Sequence, residues 1–91
     1  MRVVWLENAR AAREAAIEYI AQESLTAALS QLNEIEQQTS RLAEYPQLGR
    51  VGRKKGTREL VINRTPFIAI YRIKGGYIQV FRFLHGAQKW P

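Results

Sequence analysis

The spacing of apolar residues changes period along this 91-residue chain. Val3-Val4-Trp5-Leu6 is a short run of β-branched, aromatic and aliphatic residues that predicts a first strand. Glu7 and Asn8 break it. From Ala9 to Gln22 apolar residues return every three or four positions, at Ala9, Ala12, Ala16 and Ile20 with Ile17 beside them. That is the period of a helix, with Asn8 placed to cap its first turn. Ser24 holds the cap position of a second helix, whose stripe runs Leu25, Ala28, Leu29, Leu32, Ile35, Thr39 and Leu42. Its other face carries Gln31, Glu34, Gln37 and Gln38. With only Glu23 and Ser24 between them, the two helices must double back as an antiparallel hairpin. Tyr45-Pro46 ends the second.

The period then shortens to two. Pro46 to Gly56 holds three glycines and four cations with little apolar content, and predicts an exposed basic loop. Three strand-like runs follow, Arg58 to Asn63, Phe67 to Ile73 and Tyr77 to Leu84. Lys74-Gly75-Gly76 supplies the positive-φ residues of a tight turn, so the last two runs pair antiparallel. Strict alternation in the last run puts Ile78, Val80, Arg82 and Leu84 on one face and Tyr77, Gln79, Phe81 and Phe83 on the other. Neither face is wholly polar. The order strand, helix, helix, strand, strand, strand predicts one α+β domain over residues 1–91, an antiparallel sheet with the helical hairpin packed on one face. The opposite face is left partly open, edged by the basic loop and the C-terminal segment, and function is expected there.

Composition narrows the chemistry. The chain has no cysteine and a single histidine, His85, so neither a disulfide framework nor the usual zinc cluster is available, and no cofactor or metal is expected. No apolar stretch approaches the ~20 residues that span a bilayer, and the start does not read as a signal peptide, which makes the cytoplasm the expected location. The net charge of +6 is unevenly held. Residues 1–49 have four Lys/Arg against seven Glu, a balance of −3; residues 50–91 have ten against Glu59 alone, a balance of +9. Such asymmetry points to an acidic partner, nucleic acid or an acidic protein segment.

Read together, the VVW strand, the helix ending in YIAQ, LAEYPQLGR, the TREL-VI strand, the hairpin PFIAIYRIKGGYIQVFRFLHG and the closing WP resemble the RelE/ParE superfamily of bacterial toxins. The resemblance covers nearly the whole chain. It implies the toxic half of a type II toxin–antitoxin pair, neutralised by a small antitoxin whose acidic, partly disordered segment folds on the toxin surface. It also implies one of two mechanisms. RelE-like members cleave messenger RNA in the ribosomal A site and need a proton acceptor, a proton donor and cations around the phosphate. Here the matching second strand, Arg58-Glu59-Leu60-Val61-Ile62, has no lysine; Ile68 stands where a strand arginine is expected, Gln88 where a late arginine is, and no tyrosine follows Tyr77. His85 and Arg82 are the catalytic candidates under that reading.

ParE-like members instead bind DNA gyrase and block it, which requires a shaped contact surface and no acid–base set. Loss of the RelE-type residues and the tail His-Gly-Ala-Gln-Lys-Trp-Pro favour this second mechanism. The candidate target- or phosphate-binding residues are Arg50, Arg53, Lys54, Lys55, Arg58, Arg64, Arg72, Lys89 and Trp90. Trp90 reads either as an anchor buried in a partner or as a clasp folded onto its own sheet. A third reading is a non-toxic RNA-binding module, with Tyr71, Tyr77, Phe81 and Phe83 interleaving with Arg72 and Arg82 as a stacking platform.

Overall fold

The computed structural model describes residues 1–86 and 88–91. Strand β1 (Arg2–Trp5) leads directly into helix α1 (Glu7–Glu23), followed by α2 (Leu25–Ser40) and a 3₁₀ turn (Arg41–Ala43). Strands β2 (Arg50–Val51), β3 (Thr57–Val61), β4 (Phe67–Lys74) and β5 (Tyr77–His85) complete a five-stranded sheet in the order β1-β5-β4-β3-β2. The fold is α+β, as the period changes require.

Local chemistry sets the helix ends. Ser24 Oγ accepts a hydrogen bond from the Ala27 N–H at 3.1 Å, the cap expected for α2. Asn8, by contrast, is not a cap. Helix α1 begins two residues earlier than its apolar period, because the Leu6 carbonyl already accepts from Arg10 N at 3.0 Å and Glu7 lies in the first turn, paired to Arg10. The α2 stripe is buried only in part. Ala28, Ile35, Thr39 and Leu42 are buried, while Leu25 and Leu29 are 64% and 57% exposed.

The sheet departs from the expected one in three ways. β1 runs parallel to β5, pairing Arg2 with Tyr77 and Trp5 with Val80, so one of the four strand pairings is not antiparallel. The basic segment is not wholly a loop either: Arg50 and Val51 form an edge strand against Glu59 and Arg58. Finally, β5 carries a bulge. Tyr71 pairs with Val80 but Ile70 with Arg82, leaving Phe81 as an extra residue. Beyond it the alternation inverts, so Phe83 joins Ile78 and Val80 beneath the helices, while Phe81 and Leu84 turn to the opposite side with Ile68 and Ile70. Simple alternation had placed Phe83 and Leu84 the other way round.

The main core lies between sheet and helices and contains Ala9, Ile35, Leu42, Leu60, Ile62, Ala69, Tyr71, Ile78 and Val80, with Phe67 and Phe83 stacked at 5.0 Å between ring centres. Each aliphatic side chain buried here contributes about 1.5–3 kcal/mol. The polar face of α2 is put to use as well. Gln38 bonds both the N–H and the carbonyl of Asn63, at 2.8 and 2.9 Å, and Glu34 grips Arg64, so the β3–β4 turn is tied to the helix.

Candidate functional site

On the face away from the helices the residues after β5 fold back across the sheet. Gly86 N–H bonds the Pro66 carbonyl, His85 N–H bonds Gln88 Oε1, and Trp90 then lies on Phe81, Ile70 and Leu84, only 6% exposed. Its indole meets Phe81 edge-on, 5.8 Å between ring centres. The indole N–H donates to Glu59 Oε2 at 2.7 Å. Glu59 sits in β3 at 3% exposure, and its other oxygen accepts from Arg50 Nε and Nη2 at 3.1 and 2.9 Å. Arg53 completes the cluster, with Nε 3.4 Å from Glu59 Oε2 and Nη1 donating to the Trp90 carbonyl at 3.0 Å. Burial alone would raise the Glu59 carboxyl; the Trp90 N–H and the two arginines outweigh it and hold the group below the usual carboxylate range. Trp90 therefore occupies the clasp position in the free chain. It is not displayed as an anchor.

The candidate residues divide between several places. Arg50 and Arg53 face the open side of the sheet, where both pair with the single carboxylate of Glu59. Arg72 shares that side, bonding Gln79 Oε1 at 2.9 Å and lying 4.9 Å over the Phe81 ring. Arg82 is half-buried at the bulge, opposite Ile70. Lys54 and Lys55 are exposed on the β2–β3 turn and Lys89 on the C-terminal strap. Arg58 points to the helix side of the sheet, where Nη1 donates to the Gly49 carbonyl at 2.8 Å. Arg64 Nε and Nη2 each bond Glu34 at 2.8 Å, and that pairing with help from Gln38 brings the Glu34 pKa down to about 2. His85 lies at the helix-side end of β5, its ring edge-on to Phe67, lining a 590 Å³ groove with Ala16, Tyr19 and Phe83.

The arrangement thus separates what RNA cleavage would need together. His85 opens toward the helix side, whereas the Arg50–Arg53–Arg72 group lies across the sheet from it. Glu59, which organises the open side, was not singled out by sequence, although it carried a usable signal as the sole acid among residues 50–91. Tyr71 was named only as a stacking aromatic; its buried hydroxyl instead donates to the Pro46 carbonyl at 2.7 Å and accepts from Gly49 N at 2.9 Å, pinning the 46–49 loop. Among the described residues no group of three or more His, Asp or Glu is placed to hold a metal, and no helix is long and apolar enough to cross a membrane.

The fold as a whole matches a solved structure titled "Chromosomal ParDE TA system from P. aeruginosa". The TM-score is 0.81 at 30% identity, covering 93% of this chain and 95% of that one. Y4kP of Sinorhizobium fredii (strain NBRC 101917 / NGR234), which its name describes as a toxin, is 48% identical over 50 residues. That match takes in 55% of this chain and about half (51%) of the relative. The architecture is that of a RelE/ParE superfamily toxin. Within it, residues 3–90 match the model of the ParE toxin of type II toxin–antitoxin systems, parDE, and the chain belongs to that family.

Proposed function

We propose that this toxin arrests growth by binding DNA gyrase and blocking it, and that a cognate antitoxin neutralises it. The observation that carries this reading is the separation of His85 from the arginine group across the thickness of the sheet. An acid–base mechanism needs its proton-transfer group and its charge-stabilising cations within hydrogen-bond reach of one phosphate. A binding mechanism needs only a rigid, charged surface. The exposed lysines on the β2–β3 turn, Lys54 and Lys55, and Lys89 on the strap fit that role, with Trp90 acting from beneath by holding the strap in place.

The test is a gyrase supercoiling assay with the purified toxin. Supercoiling falls, or cleaved DNA accumulates, and His85→Ala and Arg82→Ala retain the effect. Lys54→Ala/Lys55→Ala and Lys89→Ala weaken it. Full gyrase activity at growth-arresting toxin levels, with codon-phased cuts in ribosome-bound transcripts that disappear in His85→Ala, would establish the RelE-like mechanism in its place.

A further inference from the structure

Folding sorts the charges of this chain onto two sides of the sheet. Seven of the eight carboxylates belong to the helical side, four in α1, two in α2 and Glu44 just after the 3₁₀ turn, and Glu59 alone lies on the open side. The cations divide the other way. Val3 and Trp5 of β1 pack against the main core, as do Ala69 and Tyr71 of β4, so alternation turns Arg2, Arg72 and Lys74 to the open side. Arg82 shares that side with Leu84 beyond the bulge, and Lys89 is exposed on the strap that crosses it. These five are in no ion pair among the described residues. Arg50 and Arg53 share the one Glu59 carboxylate, which leaves a further charge over.

With Lys54 and Lys55 on the turn at its edge, the open side holds nine of the fourteen Lys/Arg against one carboxylate, a balance of +8; the helical side holds five against seven, a balance of −2, and the two make up the net +6. An excess of that size on one side attracts a polyanion. The aromatic rings decide which kind. Single strands are held by bases stacked on exposed rings. Of the four rings that interleave with Arg72 and Arg82 in sequence, Tyr71 and Phe83 are in the main core and Phe81 is engaged by Arg72 and Trp90, so only Tyr77 is exposed. What remains is charge on a hydrogen-bonded sheet, which suits contact with a duplex through its phosphates, without stacking and without reading bases. Five strands at ~4.8 Å give the face a width of about 20 Å, along which a duplex carries roughly twelve phosphates.

We infer that the open side of the sheet is a sequence-independent binding surface for duplex DNA, engaging the phosphate backbone through Arg2, Arg72, Lys74, Arg82 and Lys89. The bond from the Trp90 indole to Glu59 serves this surface by keeping the strap, and Lys89 with it, on the same side as the other four. Binding of this kind needs no gyrase.

The experiment follows binding of the purified toxin to a fluorescently labelled duplex of about 20 base pairs, by anisotropy at a series of salt concentrations with no gyrase present. Four to five phosphate contacts predict a slope of log Kobs against log[salt] of about −4, the same for two unrelated duplex sequences. Arg2→Gln/Lys74→Gln removes two exposed cations and is expected to make the slope shallower by about 2, and Lys74→Gln alone by about 1. Arg10→Gln/Arg41→Gln makes the same change of net charge on the helical side and is expected to leave the slope within about 0.5 of the parent's. Thermal unfolding of each variant checks that the fold persists. A parent slope shallower than about −1, or an equal loss in both double variants, overturns the site. Tighter binding to the corresponding single strand than to the duplex overturns the duplex assignment in favour of a stacking surface.

Discussion

Glu59 shows how one residue can redirect the chemistry around it. A buried carboxylate is costly unless its oxygens are bonded, and here all of its partners come from elements that would otherwise be free: Arg50 from the edge strand, Arg53 from the turn and Trp90 from the strap. Trp90→Phe keeps most of the packing on Phe81 but removes the donor to Glu59. The expected cost is about 1–3 kcal/mol, read as a fall in Tm of several degrees. An unchanged Tm would mean that the strap is not fastened through Glu59. The other notable carboxyl, Glu34, is held at about 2 by Arg64 and Gln38, well below its unfolded value. A lowered folded pKa contributes stability that is complete above the unfolded value and is lost as pH falls through the folded one. Glu34→Gln is therefore expected to flatten the decline in stability between about pH 4.5 and pH 2, measured by denaturant titration at a series of pH values. Sequence alone displayed these charges but not their partners, since Glu34 and Arg64 lie thirty positions apart and meet only through the β3–β4 turn.

At the scale of elements, most of the fold was legible because period and turn chemistry agree. Both helices, the Ser24 cap and the Gly75-Gly76 turn, with φ of 61° and 80°, fall where the pattern puts them, although the N-terminal part of the α2 stripe stays exposed. What pattern could not give was the bulge at Phe81, which inverts the faces of β5 without any glycine or proline to announce it. The two-residue strand β2 was hidden for a different reason, for it is defined by its pairing with Arg58 and Glu59 and has no period of its own. The loop before it depends on tight packing as well as on hydrogen bonds. A Cβ at Gly49 would stand 2.7 Å from Tyr71 Cε1 and 2.9 Å from the Glu59 carbonyl oxygen, so Gly49→Ala must push the loop off the sheet. Tyr71→Phe tests the same contact from below by leaving the buried Gly49 N–H without its acceptor. Each change is expected to destabilise by about 1–3 kcal/mol, measured by thermal or denaturant unfolding, and to loosen the loop, seen as faster hydrogen exchange at residues 46–49.

For the whole molecule, the charge asymmetry of the sequence does not say where open positive charge will lie. Nine positive charges in excess over residues 50–91 become, once folded, a set paired at Glu59 and Glu34 and a set, the Lys54–Lys55 turn and Lys89 among it, in no ion pair among the described residues. Linear sequence cannot tell spent charge from available charge, because the distinction is made by tertiary contacts. The catalytic candidates differ in this respect: Arg82 and His85 are three positions apart in β5 beyond the bulge, an odd spacing that puts them on opposite faces by alternation alone.

The parallel pairing of β1 with β5 bears on how the toxin is born. Residues 2–5 find their sheet partners only at residues 77–80, so the first strand made waits for nearly the last. Pairing across so long a stretch is slow to form, and it leaves Val3 and Trp5 without their final cover while the intervening chain is translated. An incomplete polypeptide of this sequence therefore has no place in the sheet for its first strand until residues 77–80 have been made.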